Sequence, residues 1–136
     1  MVEKKKILLV DDDEDDREMF FEALKELNDA HTCVSMENGE KAMQYLNLEK
    51  DLPDIIFLDL NMPRLNGKQC LVEIQKSERL RNIPVIIYST TRRSEDVEET
   101  RRLGAVDFLT KPPLFSQISE AISDVLGRVL FPQSVN

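Results

Sequence analysis

Residues 55–59 read Ile-Ile-Phe-Leu-Asp, an unbroken apolar run closed by a carboxylate. A strand with one wet face alternates apolar with polar residues, whereas a strand covered on both faces is apolar throughout. Residues 55–58 are of the second kind. So are Ile7 to Val10, which run into Asp11 and Asp12, and Val85 to Tyr88, which run into Ser89. Weaker strand candidates lie at Thr32 to Met36 and Val106 to Leu109, the latter followed shortly by Lys111. Between these runs apolar residues recur at helical spacing. The stripes are Met19, Phe20, Ala23, Leu24 and Leu27; then Ala42, Met43 and Leu46; then Leu71, Val72 and Ile74; then Val97 and Leu103; then Ile118, Ala121, Ile122, Val125 and Leu126. Asn38, Ser94 and Ser116 are expected N-caps, and Gly104 an expected helix end. Strands that alternate with helices imply an α/β fold, a (βα)5 doubly wound parallel sheet.

The chain has 136 residues and is 41% hydrophobic, which suits one domain with a sizeable core. Its formal net charge is −8, which disfavours nucleic acid and anionic membranes as partners. Ile7 to Val10 is too short for a signal peptide's apolar region or a membrane span. Cys33 and Cys70 lack metal-ligand spacing and read as small core thiols of a reducing, cytoplasmic compartment. His31 has no second ligand near it in sequence and reads as structural or solvent-exposed.

The polar residues fall at one kind of place. Asp11, Asp12 and Asp13 follow the first strand, Asp59 ends the third, Ser89 to Thr91 follow the fourth, and Lys111 follows the fifth. In an open parallel sheet the carboxyl ends of the strands form the rim where ligands bind. Strand order 2-1-3-4-5 sets strand one beside strand three, so Asp11, Asp12 and Asp59 converge. Two carboxylates ~4 Å apart in an effective dielectric of about 20 repel by roughly 4 kcal/mol. Protonation or a cation relieves this. A hard ion such as Mg²⁺ suits carboxylates, carbonyls and water. A metal, an amine and a hydroxyl around one carboxylate are means of stabilising a phosphoryl group in transfer to that carboxylate. A cis bond between Lys111 and Pro112 could aim the lysine inward. The acids from Asp13 to Asp16 read instead as a helix start favoured by the macrodipole.

These residues also carry a resemblance. Leu8-Leu9-Val10-Asp11-Asp12, Leu58-Asp59-Leu60-Asn61-Met62-Pro63 with Gly67, Pro84 to Ser89, Gly104-Ala105 and Lys111-Pro112 resemble, in order and spacing, the receiver domain of two-component response regulators. The resemblance implies a flavodoxin-like sheet. It implies Asp59 as phosphoacceptor, and Asp11, Asp12, Asp59 and the Asn61 carbonyl around Mg²⁺. Ser89 matches the switch hydroxyl, Phe108 the aromatic switch and Lys111 the lysine that pairs with phosphoryl oxygens. The receiver is expected over residues 4–130, with a tail at 131–136 and no output domain. The expected role is phosphorelay signalling with a histidine kinase or phosphotransfer protein, by a switch rather than an enzyme acting on external substrates. Within the family the chain is similar to stand-alone, phytochrome-associated regulators, through its acidic Glu14-Asp15-Asp16 stretch, a longer third-helix region at Lys76 to Asn82, and Ser89-Thr90-Thr91.

Competing readings are weaker. An aspartate-nucleophile phosphatase of the haloacid-dehalogenase type carries a second Asp two residues after the nucleophile, where this chain has Asn61. A receiver-like module without chemistry would lack an acid, the acceptor or the lysine, and all are present. Arg92, Arg93, Arg101 and Arg102 form a basic patch, either a solvated helix face or a docking surface for an acidic partner or a homodimer. Phe131 and Val135 could cover a dimer edge.

Overall fold

A computed structural model describes residues 4–27 and 31–131. The chain alternates β1 (Lys6–Val10), α1 (Glu14–Leu27), β2 (Thr32–Met36), α2 (Gly39–Leu48), β3 (Ile55–Leu58), α3 (Gly67–Lys76), β4 (Val85–Ser89), α4 (Ser94–Arg102), β5 (Asp107–Thr110) and α5 (Phe115–Leu130). The strands form one parallel sheet in the order β2-β1-β3-β4-β5.

Alternate residues of the central strands feed two cores. Leu8, Val10, Ile56, Leu58, Val85 and Ile87 pack against Leu46 of α2 and Leu71 and Ile74 of α3. Ile7, Leu9, Ile55, Phe57, Ile86 and Tyr88 pack against Phe20 and Leu24 of α1 and Ile118 and Ile122 of α5. Phe20, Phe57 and Tyr88 meet edge-on, with ring centroids 5.0 to 6.2 Å apart, a favoured aromatic geometry. Both faces of the central strands are thus dry, as their uninterrupted apolar sequence requires.

Local signals decide the helix ends. Asn38 caps α2 by accepting from the Lys41 N–H at 2.8 Å. Asn66 and Gln69 form a reciprocal capping box at the start of α3. Asp13 accepts from the Asp16 N–H at 3.1 Å. Gly104 closes the chain after α4 with φ +113°, a conformation that residues with a Cβ rarely adopt.

Several expectations are corrected. Ser94 and Ser116 lie inside their helices, where helical dihedrals preclude capping; Arg93 and Leu114 hold the cap positions, without a side-chain cap bond. The Thr91 hydroxyl instead accepts from the Arg93 N–H at 3.3 Å. The last strand is shifted by one residue: Val106 precedes it, 56% exposed, and Thr110 pairs with Ser89. Helix α3 stops at Lys76, and residues 78–82 form turns. His31 is buried, with Nδ1 accepting from the Lys5 N–H at 3.0 Å, a structural role. Both thiols are free, and burial pushes each up to about 12. Val135 lies outside the described residues. Among those described, no helix is long and apolar enough to cross a membrane.

Candidate phosphoacceptor and metal site

The site is built by strand register. Val10 and Leu58 are partners across β1 and β3, so the residues that follow them emerge side by side. The Asp59 N–H donates to the Val10 carbonyl at 2.9 Å. Asp11 is fully buried and Asp59 nearly so, while Asp12 is exposed at the rim. One carboxylate oxygen from each of the three lies within 4.8 Å of the others.

Asp11 is fixed by its neighbours. The Asp13 N–H donates to its Oδ1 at 3.0 Å, and Arg17 donates to its carbonyl at 2.8 Å. On the other side of the site, Gly67 lets the first turn of α3 press against the Asp59 backbone. A Cβ there would stand 2.3 Å from the Asp59 carbonyl oxygen and 2.6 Å from Leu60 Cα. The Asn61 N–H donates to Asp59 Oδ1 at 3.3 Å.

Lys111 reaches in from the end of β5, its backbone N–H donating to the Ser89 carbonyl at 2.8 Å. Its ammonium lies 2.8 Å from Asp11 Oδ2, 2.8 Å from Asp16 Oδ2 and 3.3 Å from Asp59 Oδ2. Asp16 and Asp59 accept hydrogen bonds from it. The approach to Asp11 is an ion pair without that alignment, and Asp11 Oδ2 is left buried with no hydrogen bond. The Lys111-Pro112 bond is trans, so a cis bond is not what aims the lysine. The three carboxylates and the Tyr88 ring, whose centroid lies 5.5 Å from the ammonium, do so.

The electrostatics follow. Burial pushes the Asp11 carboxyl up to about 6, against the pull of Lys111 and of the Asp13 N–H. Burial also works against the Lys111 charge, yet the Asp11 and Asp16 carboxylates hold its pKa above the ordinary lysine value. A buried carboxylate oxygen that has an ion pair but no hydrogen bond, grouped with two further carboxylates, belongs to a donor set that fits a hard divalent cation.

Two expected residues stand apart from this cluster. Ser89 is fully buried, and its hydroxyl accepts a long 3.5 Å bond from the Thr91 N–H. Phe108 is in register with Ile87 and half-buried. With Val97, Thr100 and Ala105 it borders a cavity of about 140 Å³. Asp16 is the residue that sequence reasoning missed, being assigned to the helix start. Its acidic neighbours gave it no distinguishing signal. In the basic patch, Arg93 pairs with Glu95 at 3.0 Å.

The β4–α4 loop has a polar tether of its own. Thr91 donates to Asp96 at 3.1 Å, and Lys68 of α3 bridges Asp96 at 2.8 Å and Glu99 at 2.6 Å. Helix α4 buries Thr100 alone, so these bonds do much to hold it against α3.

A model of the response regulator receiver domain matches residues 7–123. The chain belongs to that family: it is a receiver domain of two-component response regulators. Within the family it is similar to the regulators associated with phytochromes. Response regulator Rcp1 of Synechocystis sp. is 33% identical over 101 residues, 71% of this chain and 69% of that protein. The phosphorylated cyanobacterial phytochrome response regulator RcpA matches at a TM-score of 0.87 and 32% identity, over 96% of each chain. The Mn²⁺-bound form of Rcp1 matches at 0.80 and 29% identity, over 90% of this chain and 92% of that one. The chain also matches a protein-glutamate methylesterase of Methanococcoides burtonii, 32% identical over 117 residues and 83% of this chain, but spans only 32% of that relative's length.

Proposed function

We propose that this receiver accepts a phosphoryl group on Asp59 from a histidine kinase or a phosphotransfer protein, and that the phosphorylated domain signals by protein–protein contact. The observation that carries the reading is the Lys111 ammonium 3.3 Å from Asp59 Oδ2, beside three carboxylates whose oxygens converge. Asp59 attacks the phosphorus. The bond from phosphorus to the donor's imidazole nitrogen breaks, the imidazole takes up a proton, and Asp59 becomes an acyl phosphate. Mg²⁺ held by Asp11, Asp12, Asp59 and the Asn61 carbonyl would supply positive charge to the acids and the phosphoryl oxygens. Lys111 pairs with a phosphoryl oxygen and Ser89 turns its hydroxyl toward another. Phe108 has the neighbouring cavity into which its ring can move, so phosphorylation biases two arrangements of the β4–α4 loop and β5. The chain thereby catalyses only its own phosphorylation and dephosphorylation.

The receiver is assigned to residues 4–130 and to the cytoplasm. A homodimer formed on phosphorylation is tested by sedimentation of both forms. Asp59→Asn tests the acceptor. Wild-type protein with a small acyl phosphate should gain one phosphoryl mass only when Mg²⁺ is present, and the folded variant should gain none. Incorporation in the variant at the wild-type level refutes the assignment.

A further inference from the structure

The acids at the start of α1 are not equivalent. Glu14 and Asp15 are exposed, as residues favoured only by the helix dipole would be. The Asp16 side chain is 25% exposed, and its Oδ2 accepts from the Lys111 ammonium at 2.8 Å. That hydrogen bond is shorter than the one Lys111 gives Asp59, and it has the alignment that the contact with Asp11 lacks. The lysine therefore directs its best bond to a carboxylate outside the converging set of Asp11, Asp12 and Asp59. Asp16 is well placed to hold it. Its N–H is bonded to Asp13, the next residue Arg17 is bonded to the Asp11 carbonyl, and Phe20 one turn on is buried in the core.

Lys111 contacts the carboxylates of Asp11 and Asp59, two of the three groups that converge on the candidate cation site. Without another anion, the ammonium would settle on those two and obstruct the cation. We propose that Asp16 is a positioning residue for phosphotransfer: it draws the Lys111 ammonium toward the edge of the site and so loosens its hold on Asp11 and Asp59 in favour of the cation, while keeping the lysine within reach of the phosphoryl group. Asp16 acts through Lys111 and touches neither cation nor phosphoryl group. The inference rests on the metal and acceptor assignments above, but its test does not depend on phosphorylation.

The test is Mg²⁺ affinity, measured calorimetrically, in Asp16→Asn, Asp15→Asn, Lys111→Met and the double variant Asp16→Asn/Lys111→Met. Asp16→Asn should weaken Mg²⁺ binding on the order of tenfold, within the usual range for coupling inside one ion-pair network. Asp15→Asn removes the same charge one residue away and should change affinity by less than about threefold, as expected of a screened surface charge. Adding Asp16→Asn to Lys111→Met should have no larger effect than this control. A second readout is the side-chain ammonium NMR signal of Lys111 with Mg²⁺ bound. It should stay protected from exchange with water in wild type and be lost in folded Asp16→Asn. Equal effects of Asp16→Asn and Asp15→Asn overturn the proposal. So does a tenfold loss that persists without Lys111, which would mark a direct through-space charge effect, and so does an unprotected Lys111 signal in wild type. A domain that binds Mg²⁺ with this pattern but never phosphorylates would refute the acceptor reading and leave the role of Asp16 standing.

Discussion

Removing the Lys111 charge leaves three neighbouring carboxylates without their shared cation. Lys111→Met keeps most of the stem and deletes the ammonium. At an effective dielectric of about 20, an ion pair at 2.8 Å gains roughly 6 kcal/mol and one at 3.3 Å roughly 5 kcal/mol. Much of this gross attraction offsets the burial of the charges, since the lysine side chain is only 9% exposed. What the substitution reveals is the cost of leaving Asp11, Asp16 and Asp59 together without a cation. Breaking a buried pair typically costs about 3–5 kcal/mol, a large part of the ~5–15 kcal/mol stability of a domain. Urea unfolding followed by far-UV circular dichroism, in chelator, should therefore show a loss of about 3 kcal/mol or more. Mg²⁺ should then restore the variant more than it helps wild type, because the competing positive charge beside Asp11 and Asp59 is gone. A ligand at a hundred times its Kd stabilises by ~2.7 kcal/mol, and the variant's gain should exceed that of wild type by about 1 kcal/mol. A variant as stable as wild type in chelator, or equal gains with Mg²⁺, refutes the competition.

Gly67→Ala should destabilise the domain by about 1–3 kcal/mol through overpacking and weaken Mg²⁺ binding, because relief of the 2.3 Å contact displaces Asp59; unchanged Mg²⁺ affinity by calorimetry would contradict it. His31 is held below its ordinary pKa, first by burial and then by the Lys5 charge. A depressed histidine pKa gives stability that is present above the unfolded value of about 6.5 and is lost as pH falls through the folded one. The urea midpoint should thus drop between pH 8 and pH 5, and drop less in His31→Gln. Lys68→Met removes the bridge to Asp96 and Glu99, and amide hydrogen exchange in residues 91–100 should speed up several-fold while that of β1 and β3 stays unchanged.

The sheet was legible because burial on both faces leaves a strand no polar positions, as in Ile7 to Val10 and Ile55 to Leu58. The same pattern marked Asp11 and Asp59, the residues at which each run breaks. The last strand was read one residue early. At a sheet edge every residue of β5 is half-buried, so neither register is excluded by pattern alone. Ser94 and Ser116 failed as caps because Arg93 and Leu114, which have no short side-chain acceptor to signal a cap, take the extended dihedrals instead. Asp16 was hidden by its own neighbours. Within Asp11 to Asp16 it has the local signature of a dipole acid, and its partner lies 95 residues away in sequence.

Asp59 sits between unequal walls. On one side its backbone is stitched to Val10; on another, α3 is pressed against it through a glycine that leaves no room for a methyl group. Neither wall has slack. Helix α4, which buries one residue and leans on a few exchangeable polar bonds, is the compliant one. A distortion begun at Asp59 will travel toward the side that gives. The direction of the message is then set by stiffness as much as by charge, and substitutions that stiffen α4 would mute the domain without touching a single residue of its chemistry.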